Sequence, residues 1–278
     1  MNRTGDALRV TERPLILVTC DDGVESPGLR AAVRAVLDLG DVLISSPYEQ
    51  QTSMGRSLPP QYDGAIHPVA YSVDGIAVSA YALYGSPAQA VLYALADLVP
   101  RRPDLCVSGI NFGENVGSGI TASGTVGAAL EAAGAGIPSM AVSLETDRSY
   151  HYQISEEVDF AAATHFARFF AGRLLARPMP VDVDLLKIEV PGAATPESPW
   201  RVTRVSRQRY FYALATGRSN LLEKRPLDYE MRFDAAELEP DSDIHALLVD
   251  RIVSVSPISF DLTSRVPLDA LEQVLRSR

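Results

Sequence analysis

Up to about residue 190 the apolar positions fall into two alternating patterns. One is a short, nearly continuous run, seen at residues 15–19, 41–45, 105–108, 139–143 and 185–190. Apolar runs of this length, bounded by turn residues, suit strands buried on both faces of a parallel sheet. The other is a longer segment with helical spacing, predicted over residues 27–39, 85–98, 126–134 and 155–176. Ser26 is placed to cap the first of these helices, Pro27 to open it and Gly40 to end it. Ser155-Glu156-Glu157 is read as the cap of the fourth. Residues 66–84 read as two paired strands joined by an Asp74-Gly75 turn. Strand-helix-strand succession implies right-handed parallel crossovers. The expected fold is therefore α/β, a Rossmann-like, mostly parallel sheet flanked by helices.

Beyond Glu197 the alternation stops. Arg and Tyr become more frequent, and residues 201–214 and 227–233 read as irregular strands and hairpins. Residues 251–256 form one more predicted strand and 267–276 a final helix. The expected organisation is a core, residues 1–196, carrying the site, and a C-terminal extension, residues 197–278. Residues 1–14 read as a polar lead-in.

Charge narrows the partners. The 278 residues include 25 Lys+Arg and 35 Asp+Glu, a formal net charge of −10. That balance argues against a nucleic-acid duplex or an anionic membrane as the main partner. No apolar run is long enough to span a bilayer. The two cysteines, Cys20 and Cys106, sit in or beside buried-strand patterns and read as reduced thiols of a cytoplasmic protein.

Candidate chemistry gathers where strands end. Leu15–Thr19 runs into Cys20-Asp21-Asp22-Gly23, at the carboxyl edge where open α/β sheets bind ligands. Two adjacent carboxylates repel unless a cation or a shared proton intervenes, so a divalent metal site is one reading. The plainer alternative is an Asx-turn at Asp21 with Asp22 capping the next helix. Two further loops leave the same edge: Gln51-Thr52-Ser53, and the glycine-dense stretch from Gly109 to Gly127, with Asn111 in it. Carboxylates, a hydroxyl and a carboxamide form an all-oxygen donor set, which favours Mg²⁺, Mn²⁺ or Ca²⁺ over zinc. Ser123-Gly124-Thr125 would open a helix and present a natural phosphate site. Together these point to phosphoester hydrolysis by a metal-activated water.

Three segments carry a family resemblance. Val18-Thr19-Cys20-Asp21-Asp22-Gly23 resembles the VTNDDG opening of the SurE family. Residues 108–117, Ser108 to Gly117, resemble its SG(I/V)NxGxNxG loop, and residues 123–131 its SGTVxAALE helix start. Weaker echoes follow at Gly85-Ser86-Pro87-Ala88, at Ile188-Glu189-Val190-Pro191, and at residues 255–263. The resemblance implies a metal-dependent nucleoside monophosphate phosphatase (a 5′-nucleotidase, with 3′ activity also in view). It implies a C-terminal extension exchanged between subunits of a homodimer or homotetramer, and one divalent ion, Mg²⁺ or Mn²⁺, per subunit. It makes Asp21, Asp22, Asn111 and Thr52 metal ligands, with Ser53 as the neighbour of Thr52; the mechanism expected from the residues has Asp21 or Asp22 receive or relay the proton. Asn115 is a candidate to orient phosphate or a metal-bound water, Ser123, Gly124 and Thr125 to hold phosphate, and Ser108 and Arg56 are further candidates.

This chain departs from the family pattern at four positions. Cys20 replaces the Asn before the two Asp, Ala122 an aromatic or His, Gln89 an Asp, and Glu189 an Asn. The Cys20 and Gln89 departures keep open a rival reading, a nucleotide-binding regulatory module that has lost turnover. A dinucleotide oxidoreductase would need Gly-x-Gly-x-x-Gly after the first strand, where this chain has Asp21-Asp22-Gly23. His67, His151, His165 and His245 lack metal-ligand spacing, which argues against a zinc hydrolase. Tyr210 and Phe211 are candidates for stacking a base or packing an interface.

Overall fold

The computed structural model describes residues 13–152 and 154–277; most of the polar lead-in, residues 1–12, lies outside the described residues. Eleven strands and five α-helices are found among them. In chain order they are β1 (Leu15–Thr19), α1 (Pro27–Val36), β2 (Asp41–Pro47), β3 (Ile66–Val73), β4 (Ile76–Leu83), α2 (Pro87–Tyr93) and β5 (Leu105–Phe112). Then come α3 (Gly124–Gly134), β6 (Ser139–Leu144), α4 (Ala161–Ala176), β7 (Leu185–Val190), β8 (Trp200–Val202), β9 (Phe211–Ala213), β10 (Tyr229–Met231), β11 (Val253–Ile258) and α5 (Leu268–Arg276).

Nine strands form one sheet in the order β3-β4-β2-β1-β5-β6-β7-β11-β8. Its six central strands, from β4 to β7, are mutually parallel. β1 sits between β2 and β5, so the chain reverses its direction of travel across the sheet there. That is the switch point at which such sheets bind ligands.

The apolar run of β1 is explained by what covers it. Ile16 and Val18 face α1 and α4 in one core cluster, while Leu17 faces α2 and α3 in another. All three are fully buried. A strand with helices on both faces has no polar side, which is why it reads as a continuous run rather than an alternation.

Helix starts follow their capping chemistry. Ser26 accepts a hydrogen bond from the Gly28 N–H at 3.1 Å, and Ser86 with Gln89 closes a reciprocal capping box on α2. The fourth helix differs from expectation: it starts at Ala161, not at Ser155. The Ser155 hydroxyl is taken by the nearby Glu157 N–H at 3.1 Å, a local turn, and Asp159 takes the Ala161 N–H at 2.8 Å.

The extension is woven into the core. β11 pairs antiparallel with β7, and β8 then pairs parallel with β11, so the main sheet continues across residue 196. β9 and β10 pair antiparallel as a separate ribbon. No helix among the described residues is long and apolar enough to cross a membrane.

Candidate metal and phosphate site

Asp21, Asp22 and Asn111 are delivered by the carboxyl ends of parallel strands, and Ser123 and Gly124 by the start of a helix. The turn after β1 is closed by the Gly23 N–H on the Cys20 carbonyl, and the Ser46 hydroxyl of β2 donates to that same carbonyl at 2.7 Å. This fixes where Asp21 and Asp22 emerge. Asp22 Oδ2 accepts the Phe112 N–H at 2.9 Å, and its Oδ1 accepts Gln50 Nε2 at 2.7 Å. Asp21 Oδ1 accepts the Thr125 hydroxyl at 2.7 Å. Asp22 therefore does not cap α1, since Ser26 does that.

Both carboxyls are buried, 5% and 2% exposed, and among the described residues no lysine or arginine pairs with either. Burial pushes Asp21 up to about 6, with the Thr125 hydrogen bond opposing it. Burial, and then the neighbouring Asp21 charge, push Asp22 up to about 7. Two dry, adjacent carboxyls without a protein cation fit a bound divalent ion. The Cys20 thiol joins Asp21 and Asp22 in a cluster whose ligand atoms lie within 4.8 Å of one another. Burial holds that thiol well above its usual range, so it stays protonated, and its sulfur lies 3.8 Å from Asp22 Oδ2. The carboxyls of Asp21 and Asp22, the hydroxyls of Thr52 and Ser53 and the Asn111 carboxamide line the cavity as an oxygen donor set, which suits a hard cation.

Asn111 completes the edge. Its amide nitrogen donates to the Phe112 and Gly113 carbonyls at 3.1 and 2.6 Å. Those two acceptors fix the amide's orientation and leave Oδ1 as the end available to a cation. Thr52 and Ser53 line the same cavity from an exposed loop.

α3 brings the anion-binding end. Ser123 is its N-cap and accepts the Val126 N–H at 3.1 Å. Gly124 sits so close that a Cβ there would meet Asp21 Oδ2 at 2.7 Å. Helix N-terminus and carboxylate pair thus share one cavity of about 370 Å³, within the range of small-molecule sites, about 300–1,000 Å³.

The structure brings Asp21, Asp22, Thr52, Ser53, Asn111, Asn115, Ser123 and Gly124 to this cavity. Three other candidates are engaged elsewhere. The Thr125 hydroxyl is spent on Asp21. Ser108 is fully buried within β5. Arg56 pairs with Glu131 of α3 at 2.6 Å and lies over the Phe260 ring. Gln89 binds the Pro59 carbonyl in its capping box, outside the cavity.

Sequence reasoning missed much of the opposite wall. His151 lines the cavity, with Nδ1 2.7 Å from the Tyr229 hydroxyl and Nε2 buried without a partner among the described residues. Burial holds His151 below its usual range, hence neutral near pH 7. Glu114 lines it too, 4% exposed and pushed by burial up to about 7. Arg209 and Tyr229 reach in from the extension, beside Tyr210 and Phe211, which the sequence already offers for stacking a base or packing an interface. One signal for His151 was present in the sequence: it lies in the loop leaving the carboxyl end of β6, on the same sheet edge.

The fold and this cavity define an α/β protein with an oxygen-lined cation and anion pocket at the switch point of a parallel sheet. The family model described as "Survival protein SurE" matches residues 16–212, and the chain belongs to the SurE family. The 5′-nucleotidase SurE of Thermococcus gammatolerans is 40% identical over 266 residues, covering 94% of this chain and 95% of that protein. The 5′-nucleotidase SurE of Thermococcus kodakarensis is 39% identical over 262 residues, covering 94% and 98%. Among solved structures, the SurE protein from Aquifex aeolicus superposes with a TM-score of 0.73 at 26% identity, over 94% of this chain and all of that one.

Proposed function

We propose that this chain is a metal-dependent phosphatase that hydrolyses nucleoside monophosphates, at the 5′ position first, to nucleoside and phosphate. The observation that carries the reading is the juxtaposition of the buried Asp21-Asp22 pair with the N-terminus of α3 in one cavity. Relatives named 5′-nucleotidase at 35–40% identity over most of the chain support the substrate class.

Asp21, Asp22, Asn111 and Thr52 would hold the ion, with Ser53 the neighbouring hydroxyl. A bound Mg²⁺ or Mn²⁺ supplies Lewis-acid charge neutralisation at the phosphate and makes a water more acidic. The chain does the rest. The backbone N–H groups at the start of α3, beside Ser123 and Gly124, hold phosphate oxygens. Thr125 keeps Asp21 turned toward the cavity through its 2.7 Å hydrogen bond. Asn115 orients the phosphate, and Asp21 or Asp22 receives the proton that the attacking water gives up.

Asp22→Asn is expected to lower Mn²⁺-dependent phosphate release from nucleoside monophosphates by at least about 10²-fold, the scale of a lost charge-stabilising group. Full activity in that variant sinks the assignment. Nucleotide binding by the wild-type chain without phosphate release, under Mg²⁺ or Mn²⁺, supports the regulatory module instead.

The extension, residues 197–278, serves subunit exchange in a homodimer or homotetramer. Its last helix supports this: α5 buries none of its residues in the single chain and exposes Leu268, Leu271, Val274 and Leu275. The two free, buried thiols, Cys20 and Cys106, suit a reducing cytoplasmic setting.

A further inference from the structure

A buried charged cluster lies behind the cavity. Lys187 and Glu189 of β7, and Asp243 of the extension, are all fully buried. Lys187 Nζ lies 3.0 Å from Asp243 and 3.4 Å from Glu189. Three buried charges are costly unless their hydrogen-bonding capacity is met, and here it is met by the loop that carries Asn115. Lys187 Nζ donates to the Asn115 carbonyl at 2.9 Å, and Glu189 Oε2 accepts the Asn115 N–H at 2.9 Å. Asp243 accepts the Gly117 N–H at 3.1 Å, two residues further along that loop.

The cluster also reaches the carboxylate pair. The Ser143 hydroxyl donates to Glu189 Oε1 at 3.3 Å and accepts from Asn115 Nδ2 at 3.0 Å. Asn115 Nδ2 lies 3.5 Å from Thr125 Oγ1, which donates to Asp21 Oδ1 at 2.7 Å. The path runs Lys187–Glu189–Ser143–Asn115–Thr125–Asp21.

We infer that Lys187, Glu189, Ser143 and Asp243 are positioning residues: through this hydrogen-bonded path the buried cluster sets the orientation of Asp21, and so couples docking of the C-terminal extension to cation affinity. This rests on Asp21 being a metal ligand, as proposed above. Hydrogen-bond partners behind a ligand carboxylate fix its rotamer, and losing one typically weakens metal binding by about 10–100-fold. Asp243 is the extension's contribution. It also accepts the Ser206 and Ile244 N–H groups at 2.9 and 2.8 Å, which tie it into its own segment.

The test is Mn²⁺ binding, measured by titration calorimetry and by the electron paramagnetic resonance of the bound ion, on the full-length chain. Ser143→Ala removes one oxygen from the middle of the path and leaves the buried charges in place. Its Mn²⁺ Kd is expected to rise about tenfold, with an altered resonance and an unchanged far-ultraviolet circular dichroism spectrum. Asp243→Asn is expected to weaken binding as well. The double variant is expected to lose little beyond the larger single loss, because both changes break one path. Wild-type Kd in folded Ser143→Ala overturns the inference, and so does simple additivity of the two losses. Thr125→Val, which cuts the path beside Asp21, takes the place of Ser143→Ala if that variant does not fold, with the same two outcomes. A wild-type chain that binds no Mn²⁺ overturns the metal site and this inference together. A chain that binds Mn²⁺ yet releases no phosphate from nucleotides overturns the nucleotidase reading alone.

Discussion

Glu114 shows how a single buried group ties stability to pH. Its carboxyl is 4% exposed, and Oε2 has no partner among the described residues. Burial raises it from 4.5 to about 7. Between those values the folded chain holds a proton that the unfolded chain has released. The contribution is thus fully present below about 4.5 and lost as pH rises through about 7. Glu114→Gln keeps the shape and stays neutral at every pH. Its melting temperature is expected to match wild type near pH 4.5 and to exceed it at pH 8.5. A gap of up to roughly 3 kcal/mol corresponds to the raised pKa. Denaturant unfolding at the two pH values measures this, and a gap that does not change with pH would refute it. At this scale the sequence was uneven. Asp21 and Asp22 were legible because the pair is contiguous and ends an apolar run. His151 and Tyr229 were not, because 78 residues separate two groups that meet at 2.7 Å.

The N-terminus of α3 sets two helix rules against each other. Alanine in place of glycine within a helix gains up to about 1 kcal/mol in propensity. At Gly124, however, the new Cβ would meet the Asp21 carboxylate at 2.7 Å and its Cβ at 2.9 Å. Close packing does not absorb that overlap without moving Asp21. Gly124→Ala is therefore expected to cut kcat/KM for a nucleoside monophosphate by at least about tenfold, while the melting temperature shifts by only a few degrees. Steady-state kinetics beside thermal unfolding separates the two effects, and unimpaired kinetics would show that Asp21 has room to yield. Legibility at this scale followed burial. β1, β2, β5, β6 and β7 were readable because both faces are covered, so composition alone marks them. β8 was not resolved as part of the main sheet, because three residues with two exposed side chains, Trp200 and Val202, carry no periodicity. The strand β7 was readable despite Lys187 and Glu189, but the partner that allows their burial was not. Charges within a strand ordinarily mark a wet face, whereas here Lys187 pairs with Glu189 and with Asp243, 54 residues further on than Glu189.

At the scale of the whole molecule, the arrangement of apolar surface is the fact left to explain. The core is closed by helices on both faces of the sheet, yet α5 rests on the chain without burying any of its own residues. Leu268, Leu271, Val274 and Leu275 fall at helical spacing on one stripe, with Leu262 and Val266 exposed just before them. A monomer gains nothing from holding such a stripe in water, and surfaces of this kind mark contacts between chains. The proposed subunit exchange accounts for it, since a second copy presenting the same extension would cover each stripe with its counterpart in a two-fold contact. Leu271→Glu with Leu275→Glu puts two charges on that stripe and touches nothing in the cavity. Light scattering on the wild-type chain is expected to give an even multiple of 30.0 kDa, and on the double variant a smaller assembly or the single chain. Because α5 contributes no buried residue to its own fold, the melting temperature measured at low protein concentration is expected to fall little. A wild-type chain that runs at 30.0 kDa, or a double variant with unchanged mass, would remove α5 from the assembly interface.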